Sequence, residues 1–181
     1  MPNVAKFARA LYALHGVSCL TDPACRPAVG MFVRQATETR HFHVSAHFRS
    51  TEAAGLLEAQ QFETAAQYQQ YCVKNLRHEH MVPISVICDM LVKAPDITEE
   101  FIADTLRRFG LRATITRDED RVLNALGLAR AMPDEFFTPG SQLFEDPNAR
   151  YIHAGIPLLP RPPRDWFPPN GYNQFQSRFS P

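Results

Sequence analysis

Leu111-Arg112-Ala113-Thr114-Ile115-Thr116-Arg117-Asp118-Glu119-Asp120 reads as a short strand that turns directly into a helix. Leu111–Thr116 is the strand. Thr116 and Glu119 then stand at capping-box spacing, where the threonine oxygen takes a helix N–H and the glutamate reaches back to the cap's own N–H. The helix so started runs through Leu126 and stops at Gly127.

Upstream, helices dominate. Phe101, Ile102, Leu106 and Phe109 form the apolar stripe of one, started by Asp96 with Glu99, or by Thr98 alone. Arg107 and Arg108 meet the negative end of its dipole before Gly110. Ile84, Ile87, Cys88, Leu91 and Val92 mark another, stopped by Pro95. A helix from about Glu63 to Leu76 buries Ala66, Tyr68 or Tyr71, Cys72 and Leu76, and Ser50 or Thr51 caps a short one through Glu58. Residues 4–15 form the first helix, closed by Gly16, and Pro27 suits the first turn of the second.

The clearest alternation is His41-Phe42-His43-Val44-Ser45-Ala46-His47-Phe48-Arg49. As a strand it puts Phe42, Val44, Ala46 and Phe48 on one face and His41, His43, Ser45 and His47 on the other. The expected fold class is α+β, a mostly helical single domain over 1–155 with a small sheet. The sheet is built from 41–49 and 111–116, with 78–83 as a candidate third strand. Seven of the fifteen prolines fall between Pro157 and Pro181, among Trp166, Phe167, Tyr172, Phe175 and Phe179. Such a stretch excludes helix and central strand and favours extended backbone. Residues 156–181 are therefore expected as an arm packed on the domain or on a partner.

Nineteen basic residues balance nineteen acidic ones. That balance argues against a dedicated high-affinity duplex binder and leaves room for a local basic patch. No apolar run reaches the roughly 18–20 residues of a membrane helix. Lys6, Arg9 and His15 break any signal-peptide core, so cytoplasmic residence is the expectation and no membrane partner is foreseen. Cys72 and Cys88 sit at apolar helical positions, while Cys19 and Cys25 flank a turn. Cys19 and Cys25 could pair if exported, or share a metal at a spacing that matches no common zinc pattern; reduced thiols are expected at all four.

Arg77-His78-Glu79-His80-Met81-Val82-Pro83 carries the most specific chemistry. On extended backbone His78 and His80 share one face and Glu79 takes the other. If Glu79 and His80 converge, one holds a divalent cation while the other removes a proton from water. The alternative is structural: Glu79 and His80 orient the helix that begins after Pro83.

Acid-His-hydrophobic-hydrophobic-Pro resembles the first strand of the HNH (His-Me finger) nucleases. The resemblance implies a two-stranded ribbon followed by a helix, with 111–116 as second strand and Arg117–Leu126 as helix. It implies His80 as general base, and Mg²⁺ or another divalent cation held by Glu79 with Asp118 or Glu119, or Asp120 in their place, and Asn124 as an orienting amide. Arg77 and Arg117 become phosphate contacts, and nucleic acid the substrate. Two apparent helices, 84–94 and 97–109, separate the strands where the family has a shorter loop.

Two further sets of residues stand beside this one. His41, His43 and His47 on one strand face form an alternative metal cluster, against the simpler reading of a solvent-facing edge. A non-enzymatic protein-interaction or regulatory module is the competing function, its partner bound through Trp166, Phe167 and the rest of the arm.

Overall fold

The computed structural model describes residues 4–37 and 46–160. Among them the chain runs α1 (Val4–Gly16), a 3₁₀ turn (Pro23–Cys25), α2 (Arg26–Thr37), β1 (Phe48–Ser50), α3 (Thr51–Glu58) and α4 (Ala65–Asn75). It continues through β2 (Leu76–His80), α5 (Ile84–Lys93), α6 (Glu99–Phe109), β3 (Arg112–Thr116) and α7 (Arg117–Ala125). A second 3₁₀ turn (Asp134–Phe137), α8 (Ala149–His153) and β4 (Leu158–Pro160) complete it. The fold is α+β, mostly helical, with one small sheet.

The sheet has the order β2-β3-β1-β4. β3 lies antiparallel to β2, with Leu76 opposite Thr116 and His80 opposite Arg112. It lies parallel to β1, with Phe48 opposite Ala113 and Arg49 opposite Thr114. β4 pairs antiparallel with β1. The strand expected at 78–83 thus starts two residues earlier and ends at His80. Leu76 leaves the helix because its backbone is extended (φ −116°, ψ 164°), although its N–H still bonds to Cys72 O. Of the strand expected at 41–49, residues 41–45 lie outside the described residues, and the strand observed is Phe48–Ser50.

Side-chain caps set the helix starts, and each contributes about 1 kcal/mol. Ser50, Thr64, Thr98 and Thr116 accept from the N–H groups of Ala53, Gln67, Phe101 and Glu119. Thr98 rather than Asp96 therefore starts α6. At Thr116 the full capping box forms, with Glu119 reaching back. The strand-into-helix reading of 111–127 holds.

Three apolar clusters follow from the helical and strand periodicities. The largest joins α1, α2, α5 and α6 through Leu11, Val33, Ile87, Leu91, Ile102 and Leu106. Each of those side chains is fully buried and contributes about 1.5–3 kcal/mol relative to exposure. A second cluster, of Met81, Ala113, Ile115, Leu123 and Tyr151, fills the space between one sheet face and α7 with α8. The third, of Ala53, Leu57, Tyr68, Cys72 and Leu76, lies under α3 and α4.

Cys19 and Cys25 are disulfide-bonded, against the expectation of free thiols. Asp22 accepts from Ala24 N and tightens the intervening turn. The two Cα atoms come to 5.6 Å, within reach of a bridge. Cys72 and Cys88 are buried free thiols as expected, and burial pushes the Cys88 thiol up to about 11. The first residues of the expected arm belong to the sheet: Thr51 N donates to Pro157 O at 3.1 Å and Pro160 ends β4. Proline is tolerated there because β4 is an edge strand. Residues 161–181, with Trp166 and Phe167, lie outside the described residues. No helix among the described residues is long and apolar enough to cross a membrane.

Candidate functional site

Strand alternation sends neighbouring residues of β2 to opposite faces. One face carries His78 and His80, and the other carries Arg77 and Glu79. The register extends each face across β3 and β1. His78 lies opposite Thr114, which lies opposite Arg49, and His80 lies opposite Arg112. His47 joins the second row: its N–H donates to Arg112 O at 2.8 Å, and its Nδ1 accepts from Arg112 N at 3.1 Å. Three imidazoles and two guanidiniums therefore occupy one sheet face.

His80 is buried, with Nε2 2.7 Å from Thr37 Oγ1 on α2. The Thr37 hydroxyl donates back to Val33 O at 2.9 Å, so its oxygen accepts the Nε2–H of His80. That leaves Nδ1 as the basic nitrogen. Burial, then the charges of Arg112, Arg34, Arg150 and His47, lower the His80 imidazolium to about 3. The ring is neutral throughout the physiological range. His78 Nδ1 meets Thr114 Oγ1 at 2.7 Å, and the side chain is half-buried. Arg49 and Arg112 are almost wholly buried.

The opposite face holds Glu79. Its Oε1 accepts from Tyr151 Oη at 2.6 Å and lies 2.9 Å from Arg150 Nη2. Burial raises the Glu79 carboxyl above the usual range, against the lowering pull of Arg150 and the Tyr151 hydrogen bond, while Asp120 adds to the rise. Burial beside Glu79 likewise raises the Tyr151 phenol well above its ordinary value. Arg150 also donates to three main-chain carbonyls, those of His80, Met81 and Leu128, at 2.6, 2.8 and 3.0 Å.

The other residues singled out by the sequence take separate places. Glu119 accepts from Ser50 Oγ at 2.6 Å and Thr116 N at 2.7 Å, which fixes α7 to β1. Asp118 is exposed and paired with Arg121. Arg77 turns away from His80 toward Asp120, 3.4 Å away, and Arg117 donates to Val73 O at 2.9 Å. Asn124 donates to Asp120 O at 2.6 Å. His41 and His43 lie outside the described residues, so only His47 of that cluster is placed.

A divalent cation needs carboxylates or imidazoles gathered at about 2 Å from one point. Glu79, Asp118 and Glu119 are engaged with Arg150 and Tyr151, with Arg121, and with Ser50 and Thr116 respectively. They do not fit such an ion. Among the described residues no group of three His, Cys, Asp or Glu side chains is arranged to hold one. The sequence reading missed Thr37, Arg150 and Tyr151; Arg49 and Arg112 were among its basic residues, but not as neighbours on the face of His80. Arg49 and Arg112 were visible as cations in strands flanking the His-rich segment. Arg150 sits in a helix of five residues and gave no signal.

No protein-family model, curated protein or solved structure matches the chain.

Proposed function

We propose that the protein cleaves nucleic-acid phosphodiester bonds, using an HNH-like strand-strand-helix unit with His80 as the general base. One observation carries the reading. His80 ends a strand paired antiparallel with the strand that enters α7 without a loop, the unit that the Glu79-His80-Met81-Val82-Pro83 resemblance implies. The His80 ring is neutral and oriented by Thr37, which leaves Nδ1 to accept a proton, although burial makes that nitrogen a weak base. Nδ1 takes a proton from water as the water oxygen bonds to phosphorus, and the bond from phosphorus to the leaving sugar oxygen breaks, that oxygen taking a proton from solvent. The Glu79, Asp118 and Glu119 carboxylates are engaged by Arg150, Arg121 and Ser50 and do not fit a divalent cation.

The test is cleavage of plasmid DNA, single-stranded DNA and structured RNA, each with Mg²⁺, Mn²⁺ or excess EDTA. His80→Gln is run in parallel, because the amide keeps a donor toward Thr37 and removes the base. Loss of cutting in a variant that melts like the parent supports the reading. No cutting of any substrate by the parent, or cutting that survives His80→Gln, sinks it.

The balanced net charge favours a second reading, a protein-interaction module. A cavity of about 290 Å³ supports it, lined by Val86, Met90, Phe136, Phe137 and Phe144, with Phe137 and Phe144 exposed. Co-purification of a partner that is lost when Phe137 and Phe144 become Ser would favour it.

A further inference from the structure

We infer that the cavity between α5 and residues 136–145 is an anchor pocket, and that it takes one aromatic side chain from an acidic peptide segment of a partner protein. The inference rests on the interaction-module reading and names the chemistry of the partner.

Helical spacing builds one wall. Val86, Asp89, Met90 and Lys93 stand at i, i+3, i+4 and i+7 of α5, so they share one face, and all four line the cavity. The other wall is a run of turns that Phe136 pins to the core. The Phe136 ring is buried and packs edge-on against Phe109, with centroids 5.9 Å apart, and Phe137 packs against it in turn at 5.0 Å. Glu145 closes the run: its N–H donates to Phe136 O at 2.9 Å, and its φ of +51° is left-handed. A non-glycine residue keeps that conformation only where its surroundings fix it. Arg108 does so here, donating to the Glu145 carboxylate at 2.6 Å and to its carbonyl at 3.2 Å. The wall is thereby preformed, and it leaves Phe137 and Phe144 exposed at 53% and 40% beside the opening.

Size and charge select the occupant. The cavity holds about 290 Å³, below the roughly 300–1,000 Å³ of pockets that enclose a whole small ligand, and suits one large side chain. The two exposed rings extend the apolar surface past the opening, where the residues flanking an anchor lie. Three charged residues line the cavity. Asp89 is paired with Arg26 and Glu145 with Arg108, whereas Lys93 has no carboxylate partner among the described residues. The uncompensated charge is therefore a cation, and it favours carboxylates over ammonium groups beside the anchor.

The test is fluorescence anisotropy of the full chain with a dye-labelled Asp-Glu-Trp-Asp-Glu peptide. Saturable binding is expected, weakened by salt and at least about tenfold tighter than that of a Lys-Lys-Trp-Lys-Lys counterpart. Phe137→Ser and Phe144→Ser are each expected to weaken it about tenfold, and Lys93→Gln about threefold. Val17→Ser, at an exposed position that does not line the cavity, leaves it unchanged. All four side chains are exposed, and melts that match the parent show that the fold survives. No binding of the acidic peptide overturns the assignment, as does equal binding of the basic one or unchanged affinity in both phenylalanine variants. Free N-acetyltryptophan amide that binds as tightly as the peptide makes this a small-molecule pocket. Self-association that is lost in Phe137→Ser makes the occupant a second copy of the chain. Either result overturns the peptide assignment. If the peptide fails while a co-purifying partner is still lost when Phe137 and Phe144 become Ser, the interaction reading stands and the acidic chemistry falls. If both experiments fail, both fall.

Discussion

Arg150 Nη2 lies 2.6 Å from the main-chain oxygen of His80, so the strand that presents the histidine is held from behind by a buried guanidinium. The same group satisfies Met81 O and Leu128 O and neutralises Glu79. It ties α8 to the end of β2 and to the loop after α7.

Removing that cation leaves a buried carboxylate and three carbonyls without their donor. Arg150→Met is expected to lose about 3–5 kcal/mol of unfolding free energy in urea titrations. Arg150→Lys is expected to recover little of it, because an ammonium does not reproduce the fork. A loss below about 1 kcal/mol would show that the carbonyls find other donors. Combining Glu79→Gln with Arg150→Met should cost less than the two losses added, since the pair acts as a unit.

His80 gives the molecule an acid-side instability. Its folded value of about 3 lies below the ordinary 6.5, so the unfolded chain binds the proton first. Stability from this group is complete above about pH 6.5 and is lost as pH falls toward 3, at up to about 1.4 kcal/mol per pH unit. Urea midpoints measured from pH 7 to pH 4 should fall in the parent and fall less steeply in His80→Gln. Parallel curves would remove His80 as the cause.

Gly110 touches the site from outside. A Cβ built there lies 2.2 Å from Thr37 Cγ2 and 2.4 Å from Leu106 O. Gly110→Ala should therefore push Thr37 off the His80 ring and cost about 1–3 kcal/mol as overpacking. The check is the His80 imidazole resonance, which should move in Gly110→Ala and stay in place in Gly55→Ala, where an added Cβ meets nothing within 4 Å.

Two left-handed residues predict effects of opposite sign. Ser18 has φ +59° after α1, and Gly127 has φ +74° after α7 with open space around it. Ser18→Gly should stabilise by about 1 kcal/mol and Gly127→Ala should destabilise by a similar amount, because an L side chain disfavours that conformation. Thermal melts of the two variants with a shared baseline decide it.

The Cys19–Cys25 bridge closes a short loop between α1 and α2. By the chain-entropy estimate, reduction or the double Ser variant should cost about 2 kcal/mol and leave the fold intact. Far-ultraviolet circular dichroism with and without reductant tests both halves. In a reducing compartment this bridge opens.

Local signals in the sequence carried the helices. Thr116 with Glu119 and Thr98 before the apolar stripe of α6 are chemical marks within one turn of the feature they specify. The resemblance implied a ribbon of 78–83 with 111–116, but whether these strands pair, and in what register, was not legible in the sequence. The start of β2 depended on how Leu76 packs against Ala53 and Tyr68, a contact between distant segments. The candidate site divides the same way. His78 and His80 on one face and Glu79 on the other came from strand alternation alone. Their partners did not: Thr37 on α2, Arg112 on β3 and Arg150 on α8 reach β2 through tertiary packing. The bridge at Cys19 and Cys25 was the less favoured reading because it depends on the Asp22 turn, whose tightness composition does not report.

The pairing of β4 with β1 bears on how the chain is made. Ser50 is matched to Leu158, and Thr51 N reaches Pro157 O across more than half of the polypeptide. During synthesis β1 emerges early and its outer edge stays open until the last described strand arrives. Exposed edges recruit other strands, and pairings between distant segments form slowly. A nascent or truncated chain ending before Leu158 should therefore associate with itself or with a chaperone, whereas a chain extending through Pro160 closes its own sheet.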